Sequence, residues 1–236
     1  MKLVFTCSGH TDLGAYSCLS LKVICKGIAV GFTGDARWPL NKEMKDFYDD
    51  CLALFAHVGS FVKPGEIDAL ESNAMGQERS LTDAVGEYNH LYYIGTMLLL
   101  KRSARKARLA VLSEFGEELK GNLRQMIVDR LKRDLRKKKR TAIIAGDVGT
   151  RVSILTQSHE GRAAGTVEVR CTVCETYVAP SEVGMVAYGP EEGLFNICKR
   201  CRCRFEPHQI TSKLERLHTY GRPGRAPLGK RRAKSP

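Results

Sequence analysis

Apolar residues of β-branched and aromatic type fill short runs through the first thirty or so positions, and a helical spacing follows. Lys2-Leu-Val-Phe-Thr6 and Leu21-Lys-Val-Ile-Cys-Lys-Gly-Ile-Ala-Val-Gly-Phe32 are rich in β-branched and aromatic residues, and both stretches predict strands. Ser8-Gly9 and Asp12-Leu-Gly14 supply turn chemistry between them. From Trp38-Pro39 the pattern turns helical. Asn41 is placed to cap a helix over 42–58, with Phe47, Cys51, Leu54 and Phe55 on one stripe. Lys63-Pro-Gly65 interrupts it, and a short helix is expected over 67–75. Ser80-Leu-Thr-Asp83 then opens a longer helix through Leu100 and on toward Leu112, in which Tyr88, Leu91, Tyr92, Ile94, Met97 and Leu98 read as core.

After Ser113 a further helix is predicted through Arg136. Leu123, Ile127, Leu131 and Leu135 recur every four residues with Met126 and Val128 beside them, which makes one face apolar. Residues 141–165 hold a short apolar piece, a strand at Val152-Ser-Ile-Leu155 and a polar, glycine-containing run, and read as a hinge. Beyond it, Tyr177-Val-Ala179, Val183-Gly-Met-Val-Ala-Tyr188 and Leu194-Phe-Asn-Ile197 predict short strands around a Gly189-Pro-Glu-Glu-Gly193 turn.

Charge divides this pattern in two. The chain carries a net charge of +12 over 236 residues. Residues 1–100 hold 8 Lys/Arg against 12 Asp/Glu (net −4), residues 101–140 hold 15 against 5 (net +10), and residues 141–236 hold 15 against 9 (net +6). The basicity begins at Lys101, so the second half is the one built for an anionic partner, most simply nucleic acid. The helix ending at Arg136 is basic and amphipathic and runs into five consecutive cations at 136–140. Like charges at that density repel unless a polyanion neutralises them. Contact with six phosphates would cost about three decades of affinity between 50 and 200 mM salt.

Cysteines add the most specific chemistry. Cys171-Thr-Val-Cys174 is followed, after 23 intervening residues, by Cys198-Lys-Arg-Cys201. Two such pairs bring four thiolates into the volume of a tetrahedral Zn²⁺ site. Cys171, Cys174, Cys198 and Cys201 are the expected ligands, closed to substrate and structural in role, with zinc supplying the folding energy of a small ribbon. Cys203 is an alternative to Cys201, and His208 lies five residues beyond it. The spacings of Cys7, His10, Cys18 and Cys25 match no compact knuckle, and these cysteines read as small apolar strand residues. Nine cysteines, an odd number, and no secretory pattern at the Met1 start point to a reducing, intracellular setting, cytoplasm or nucleus. The longest apolar run, Leu91 to Leu100, is too short to span a bilayer.

The expected fold is α+β: a β-rich N-terminal segment, a mainly helical middle, a C-terminal zinc ribbon and a disordered basic tail. Residues 1–100 form a β-plus-helical scaffold suited to self-association, 101–140 a basic amphipathic helical region, 141–165 the hinge, 166–208 the zinc-ribbon module and 209–236 the tail. The candidate nucleic-acid contacts are Arg105, Lys106, Arg108, Arg124, Arg130, Lys132, Arg133, Arg136, Lys137, Lys138, Lys139 and Arg140, joined on the ribbon by Lys199, Arg200, Arg202 and Arg204. The ribbon cations are interleaved with Tyr177, Tyr188, Phe195 and Phe205, as suits single-stranded or looped nucleic acid, where charge tracks the backbone and bases stack on rings.

A basic helix ahead of a Cys-x-x-Cys…Cys-x-x-Cys ribbon, with a basic tail, resembles the cysteine-rich nucleic-acid-binding proteins of plant positive-strand RNA viruses. These include the zinc-finger silencing suppressors of closteroviruses and the small basic finger proteins of carlaviruses. The resemblance covers residues 101–234 and is one of architecture, resting on Arg136–Arg140 and the four cysteines. It implies RNA binding and interference with host RNA silencing. A non-enzymatic RNA-binding protein is therefore the leading expectation. A protein–protein adaptor that docks through the ribbon is the second. The third is a papain-like protease with Cys18 as nucleophile and His57 or His90 as base. A glycine-rich phosphate loop, a nucleophile elbow and an HExxH motif are all missing from the sequence.

Overall fold

A computed structural model of the chain describes residues 1–10, 14–36, 44, 46–59, 91–113, 122–136, 141–147, 150–159, 162–188 and 193–220. The β-branched and aromatic N-terminal runs form the antiparallel strands β1 (Lys2–His10), β2 (Gly14–Cys25) and β3 (Ile28–Phe32). The two-residue turn Lys26-Gly27 joins β2 to β3, and both residues adopt positive φ, 49° and 76°. That is the backbone a tight hairpin with right-handed strand twist requires.

The sheet does not stop there. β4 (Cys51–His57), β5 (Leu109–Ser113) and β6 (Ala142–Gly146) add in parallel, giving a six-stranded mixed sheet in the order β1-β2-β3-β4-β5-β6. The expectation of a mainly helical middle is therefore wrong. Cys51–His57 is a strand where a helix over 42–58 was expected. The helix expected to reach Leu112 is α1 (Tyr93–Arg102), and it ends before β5. The reason is burial on both sides. Parallel strands covered on two faces read as continuous apolar runs, without the alternation that marks a half-exposed strand. The 101–140 segment holds β5 as well as α2 (Asn122–Arg136), the helix that the four-residue repeat predicts.

One face of the sheet is covered by α1 and α2, whose Leu99, Leu100, Ile127, Val128, Leu131 and Leu135 join Leu54, Ala56 and Leu112 in the larger core. On the other face lies the hairpin of β7 (Val152–His159) and β8 (Arg162–Arg170), whose Val167 and Val169 pack on Ala53, Leu109, Val111 and Ile144. Close approach there needs Gly165, since a Cβ at that position would lie 2.4 Å from Leu52 Cδ2 and 2.7 Å from Ile28 Cδ1. The result is a three-layer stack of helices, mixed sheet and hairpin.

The cysteine-bearing part follows β8: β9 (Tyr177–Val178), a 3-10 turn over Pro180–Glu182, β10 (Val183–Tyr188), β11 (Gly193–Cys198), α3 (Lys199–Arg204) and α4 (Pro207–Tyr220). β10 and β11 pair antiparallel, as the sequence predicts. No hinge separates them from the body. Asn196 Nδ2 donates to the Ala145 carbonyl at 3.0 Å, the Ala145 amide donates to Met185 Sδ at 3.3 Å, and the Leu194 amide donates to Asp147 Oδ2 at 3.0 Å. Leu194 and Met185 also pack on the larger core and Val183 on the smaller one. Residues 142–146 of the expected hinge are thus a sheet strand capped by the ribbon.

The expected disordered tail is also revised, because 209–220 are helical. Gln209 Oε1 accepts from the Glu206 amide at 3.0 Å, with Pro207 in the first turn, a start signal legible in Glu206-Pro-His-Gln209. Residues 221–236 and 137–140 lie outside the described residues. No described helix is long and apolar enough to cross a membrane.

Asn196→Ala should leave the Ala145 carbonyl buried and unpaired, at a cost of about 1–3 kcal/mol. In urea, the unfolding midpoint reported by the body and by the ribbon should fall together. A change confined to the ribbon signal would mean that the two do not share one core.

Candidate metal centre

Local backbone chemistry builds each knuckle. Cys171 follows β8 directly; its amide donates to the Thr176 carbonyl at 2.9 Å and its carbonyl accepts from the Glu175 amide at 2.9 Å. Glu175 sits at φ 63°, a left-handed conformation that turns the chain back on itself after Cys174. The Thr172 amide donates to the Asn196 carbonyl at 2.8 Å, which ties this first knuckle to β11. In the second knuckle Cys198 closes β11 and caps α3, its Sγ accepting from the Cys201 amide at 3.4 Å. Cys171 Sγ accepts from the Cys198 amide at 3.3 Å, so the knuckles are joined before any ion is considered.

The four ligand atoms of Cys171, Cys174, Cys198 and Cys201 all lie within 4.8 Å of one another, with Cys174 Sγ and Cys198 Sγ 3.8 Å apart. A ZnS₄ tetrahedron with bonds of about 2.3 Å has edges of roughly 3.8 Å. The residues fit that ion, and a set of soft thiolates selects it over hard cations. Cys171, Cys198 and Cys201 are buried among Ile197, Ile210 and Leu214, while Cys174 faces solvent. Cys201, not Cys203, completes the set. Cys203 and His208 are exposed and stand outside the group. Among the described residues no second cluster forms, and Cys7, Cys18 and Cys25 take part in none.

Four thiolates this close cannot all ionise without a cation. Burial raises Cys171 and Cys201, and hydrogen bonding to neighbouring thiols adds to the rise at Cys201. Burial would also raise Cys174. There it is outweighed by hydrogen bonds from Thr176 and from the Cys201 and Cys171 thiols, which hold Cys174 at about 6. One thiolate is thus pre-formed near neutral pH, while Cys171 and Cys201 hold their protons.

No family model and no curated protein matches the chain. Among solved structures it has a distant likeness to the metallo-beta-lactamase fold protein YhfI from Bacillus subtilis, at a TM-score of 0.39 and 10% identity. The match covers 61% of this chain and 46% of the other, so the chain spans just under half the length of that protein. A likeness at that level assigns neither fold family nor activity.

The structure separates the candidate nucleic-acid contacts into two sets. Several are consumed by the fold. Arg105 forms a two-pronged pair with Asp49 at 2.9 and 3.2 Å, and Lys106 lies 3.8 Å from the same carboxylate. Arg124 meets Asp147 at 3.2 Å, and Arg130 lies over the Tyr93 ring at 5.6 Å. Others belong to the ribbon and the adjoining helix. Lys199, Arg200, Arg202 and Arg204 are exposed on α3, and Lys132 and Arg133 lie on α2; no ion pair to an acidic side chain joins any of the six among the described residues. Arg108 is exposed between α1 and β5, where its backbone links Leu52 to Ala142. Arg136 ends α2, and Lys137, Lys138, Lys139 and Arg140 lie outside the described residues.

The aromatics divide too. Phe195 and Phe205 pack in the ribbon core, and Phe205 also lies under Lys213 Nζ at 4.0 Å and Arg204 at 5.6 Å. Tyr177 is 40% exposed. Of the protease expectation, His57 closes β4 with its ring against the Asp35 carboxylate and its amide on Thr33 Oγ1, and His90 lies outside the described residues. Sequence reasoning missed Asn196, Asp147 and Gly184. A single Gly inside an otherwise good strand, Val183-Gly-Met, was the one available signal among them.

Zinc binding should displace the protons held by Cys171 and Cys201, so its apparent affinity rises with pH through neutrality. Below about 6 the Cys174 thiolate is also lost, and affinity should fall more steeply. Competition with a chromophoric chelator at fixed pH values, with proton release read in weak buffer, checks the sign. A pH-independent affinity would contradict a thiolate site.

Proposed function

We propose that the chain is a non-enzymatic, zinc-stabilised nucleic-acid-binding protein with single-stranded RNA as its partner. The sorting of its cations carries this reading. Inside the body, Arg105, Lys106 and Arg124 have acidic partners, so their charge is spent on the fold. On α3, four cations in six residues stay exposed with no acidic partner among the described residues. A six-residue helix carrying that much unneutralised charge is unfavourable in itself, and neutralisation by phosphate removes the penalty while releasing counterions.

Zinc has a structural part in this. With four protein ligands it has no open position. Through Cys198 and Cys201 it would fix the first turn of α3 and thereby the direction of Lys199, Arg200, Arg202 and Arg204. The exposed Tyr177 ring is available for base stacking, which favours single strands over duplex. The role in suppressing RNA silencing rests on the architectural resemblance alone and forms no part of the proposal.

Anisotropy of a labelled oligouridylate across a salt series tests the reading. Binding should weaken with a slope of about −0.7 per phosphate contacted. The double variant Lys199→Gln/Arg200→Gln, checked for retained zinc, should bind more weakly and shed about 1.4 of that slope. Lys26→Gln, in the β2–β3 turn, should change neither. A salt-independent affinity, or one the double variant leaves intact, would overturn the proposal.

A second reading, self-association through residues 1–100, has one observation behind it. The cross-strand pairs Leu3/Val23, Phe5/Leu21 and Cys7/Leu19 share one face of β1–β2, and Leu3, Phe5 and Leu19 are 49%, 58% and 63% exposed. β1 is also an edge strand, the kind that pairs with a second copy unless blocked. Sedimentation velocity should show a dimer that Phe5→Ser/Leu19→Ser converts to monomer. A monomeric wild type would dismiss it.

A further inference from the structure

Gly184 has no conformational reason to be glycine. Its φ is not in the left-handed region, where glycine is favoured, and it lies within a regular strand paired to Ile197. What it permits is a close approach. A Cβ there would sit 2.5 Å from both Cζ and Nη1 of Arg202 and 2.7 Å from its Nε. The guanidinium of a ribbon residue therefore occupies the space a side chain at this position of β10 would take.

α2, which packs chiefly on β6, also touches β10. On that helix Lys132 is half-buried beside Leu131 and Leu135. Burial lowers its pKa, Asp129 pulls the other way, and the neighbouring Arg202 lowers it further. Asp129 is one turn back on the same helix and already accepts from Gln125 Nε2 at 2.7 Å. Arg202 lies against Gly184 on β10, Lys132 comes from the helix that touches the same strand, and neither has an ion pair among the described residues. Packing that forces like charges together is relieved by an anion between them, and a guanidinium with an ammonium suits a tetrahedral phosphate oxyanion.

We propose that the seam between the body and the ribbon is a phosphodiester clamp, in which Lys132 of α2 and Arg202 of α3 together hold one backbone phosphate of single-stranded RNA above Gly184. This rests on the nucleic-acid reading above and adds to it a place and a consequence. A phosphate held from both sides ties the ribbon to the body. By linkage, bound RNA slows the loss of zinc, because Arg202 adjoins the ligand Cys201.

The test uses the full-length zinc-loaded chain and a labelled oligouridylate of about twelve nucleotides. Gly184→Ala changes no charge and no cysteine, yet its Cβ displaces the Arg202 guanidinium. It should weaken binding about tenfold and make the salt slope shallower by about 0.7. Lys132→Met, on the other element, should do the same, and the two together should lose little more than either alone. Zinc release to a chromophoric chelator should slow when RNA is added to wild type, and not when it is added to either variant. If Gly184→Ala fails to hold zinc, Lys132→Met decides the matter by itself. Wild-type binding that Lys132→Met leaves unchanged, in affinity and in slope, overturns the clamp and leaves the nucleic-acid function standing. Wild type that does not bind at low salt overturns both.

Discussion

A sheet that ends in an open strand must satisfy the outward amides and carbonyls of that strand, and at β6 the task falls to side chains of the ribbon hairpin. Ala145 gives its amide to Met185 Sδ and receives Asn196 Nδ2 on its carbonyl. Asn196 is 1% exposed, so these bonds form out of water, where an unpaired group is costly. An uncapped edge would moreover be a template for another chain. The placement of the ribbon hairpin follows from this contact. It orients β11, whose last residue is Cys198, and it brings the Asn196 carbonyl to the Thr172 amide in the first knuckle. The ribbon's own core is small, with Ile197, Ile210 and Leu214 as its buried aliphatics around the cysteines. A metal held by the four cysteines and the capping of the β6 edge would therefore support each other.

The placement of charge follows from the same architecture. Parallel strands need helices on one face, and the solvent side of such helices is where lysine and arginine are tolerated. In the turn after α1, as on the first turn of α2, acidic residues of the body are within reach, and the cations there are neutralised. Among the described residues the cations of α3 have no acidic partner. The helix projects from the metal centre, and its length is set by two ligands, Cys198 and Cys201, that leave positions 199, 200, 202 and 204 to face outward. The metal spacing and the charge pattern are two aspects of one six-residue helix.

Much of this was legible in the residues. The β-rich Lys2–Phe32 stretch, the four-residue repeat of α2, the two knuckles and the strands between them all appear as expected. The parallel strands did not. Leu-Ala-Val-Leu at 109–112 and Ala-Ile-Ile-Ala at 142–145 carry no alternation, because a strand buried on both faces has no polar side to show. Cys51, Leu54 and Phe55 satisfy a helical stripe as well as a strand, and Asn41 offers a cap in either case. The helix from Pro207 was hidden for the opposite reason: it has two buried aliphatics, Ile210 and Leu214, in a strongly polar context. Its capping residues were the better signal. Which cations are free was not legible at all, because Asp49 and Asp147 are 56 and 23 residues from the arginines they neutralise.

One carboxylate then determines how rigid the basic surface is. Asp147 Oδ2 receives Arg124 Nη1 from α2 at 3.2 Å and the Leu194 amide from β11 at 3.0 Å. A group at the end of β6 thereby fixes the helix that carries Lys132 against the hairpin that leads into Arg202. Binding a flexible polyanion normally loses free energy to the ordering of loops and long side chains on the protein. Here the backbone carrying the cations is already ordered on both sides of the seam, by Asp147, by Asn196 and by the cysteine knuckles. Only side-chain freedom remains to be lost, and at Arg202 the Gly184 floor has removed part of that in advance. A surface prepared in this way would hold a polyanion's phosphates at little ordering cost to the protein.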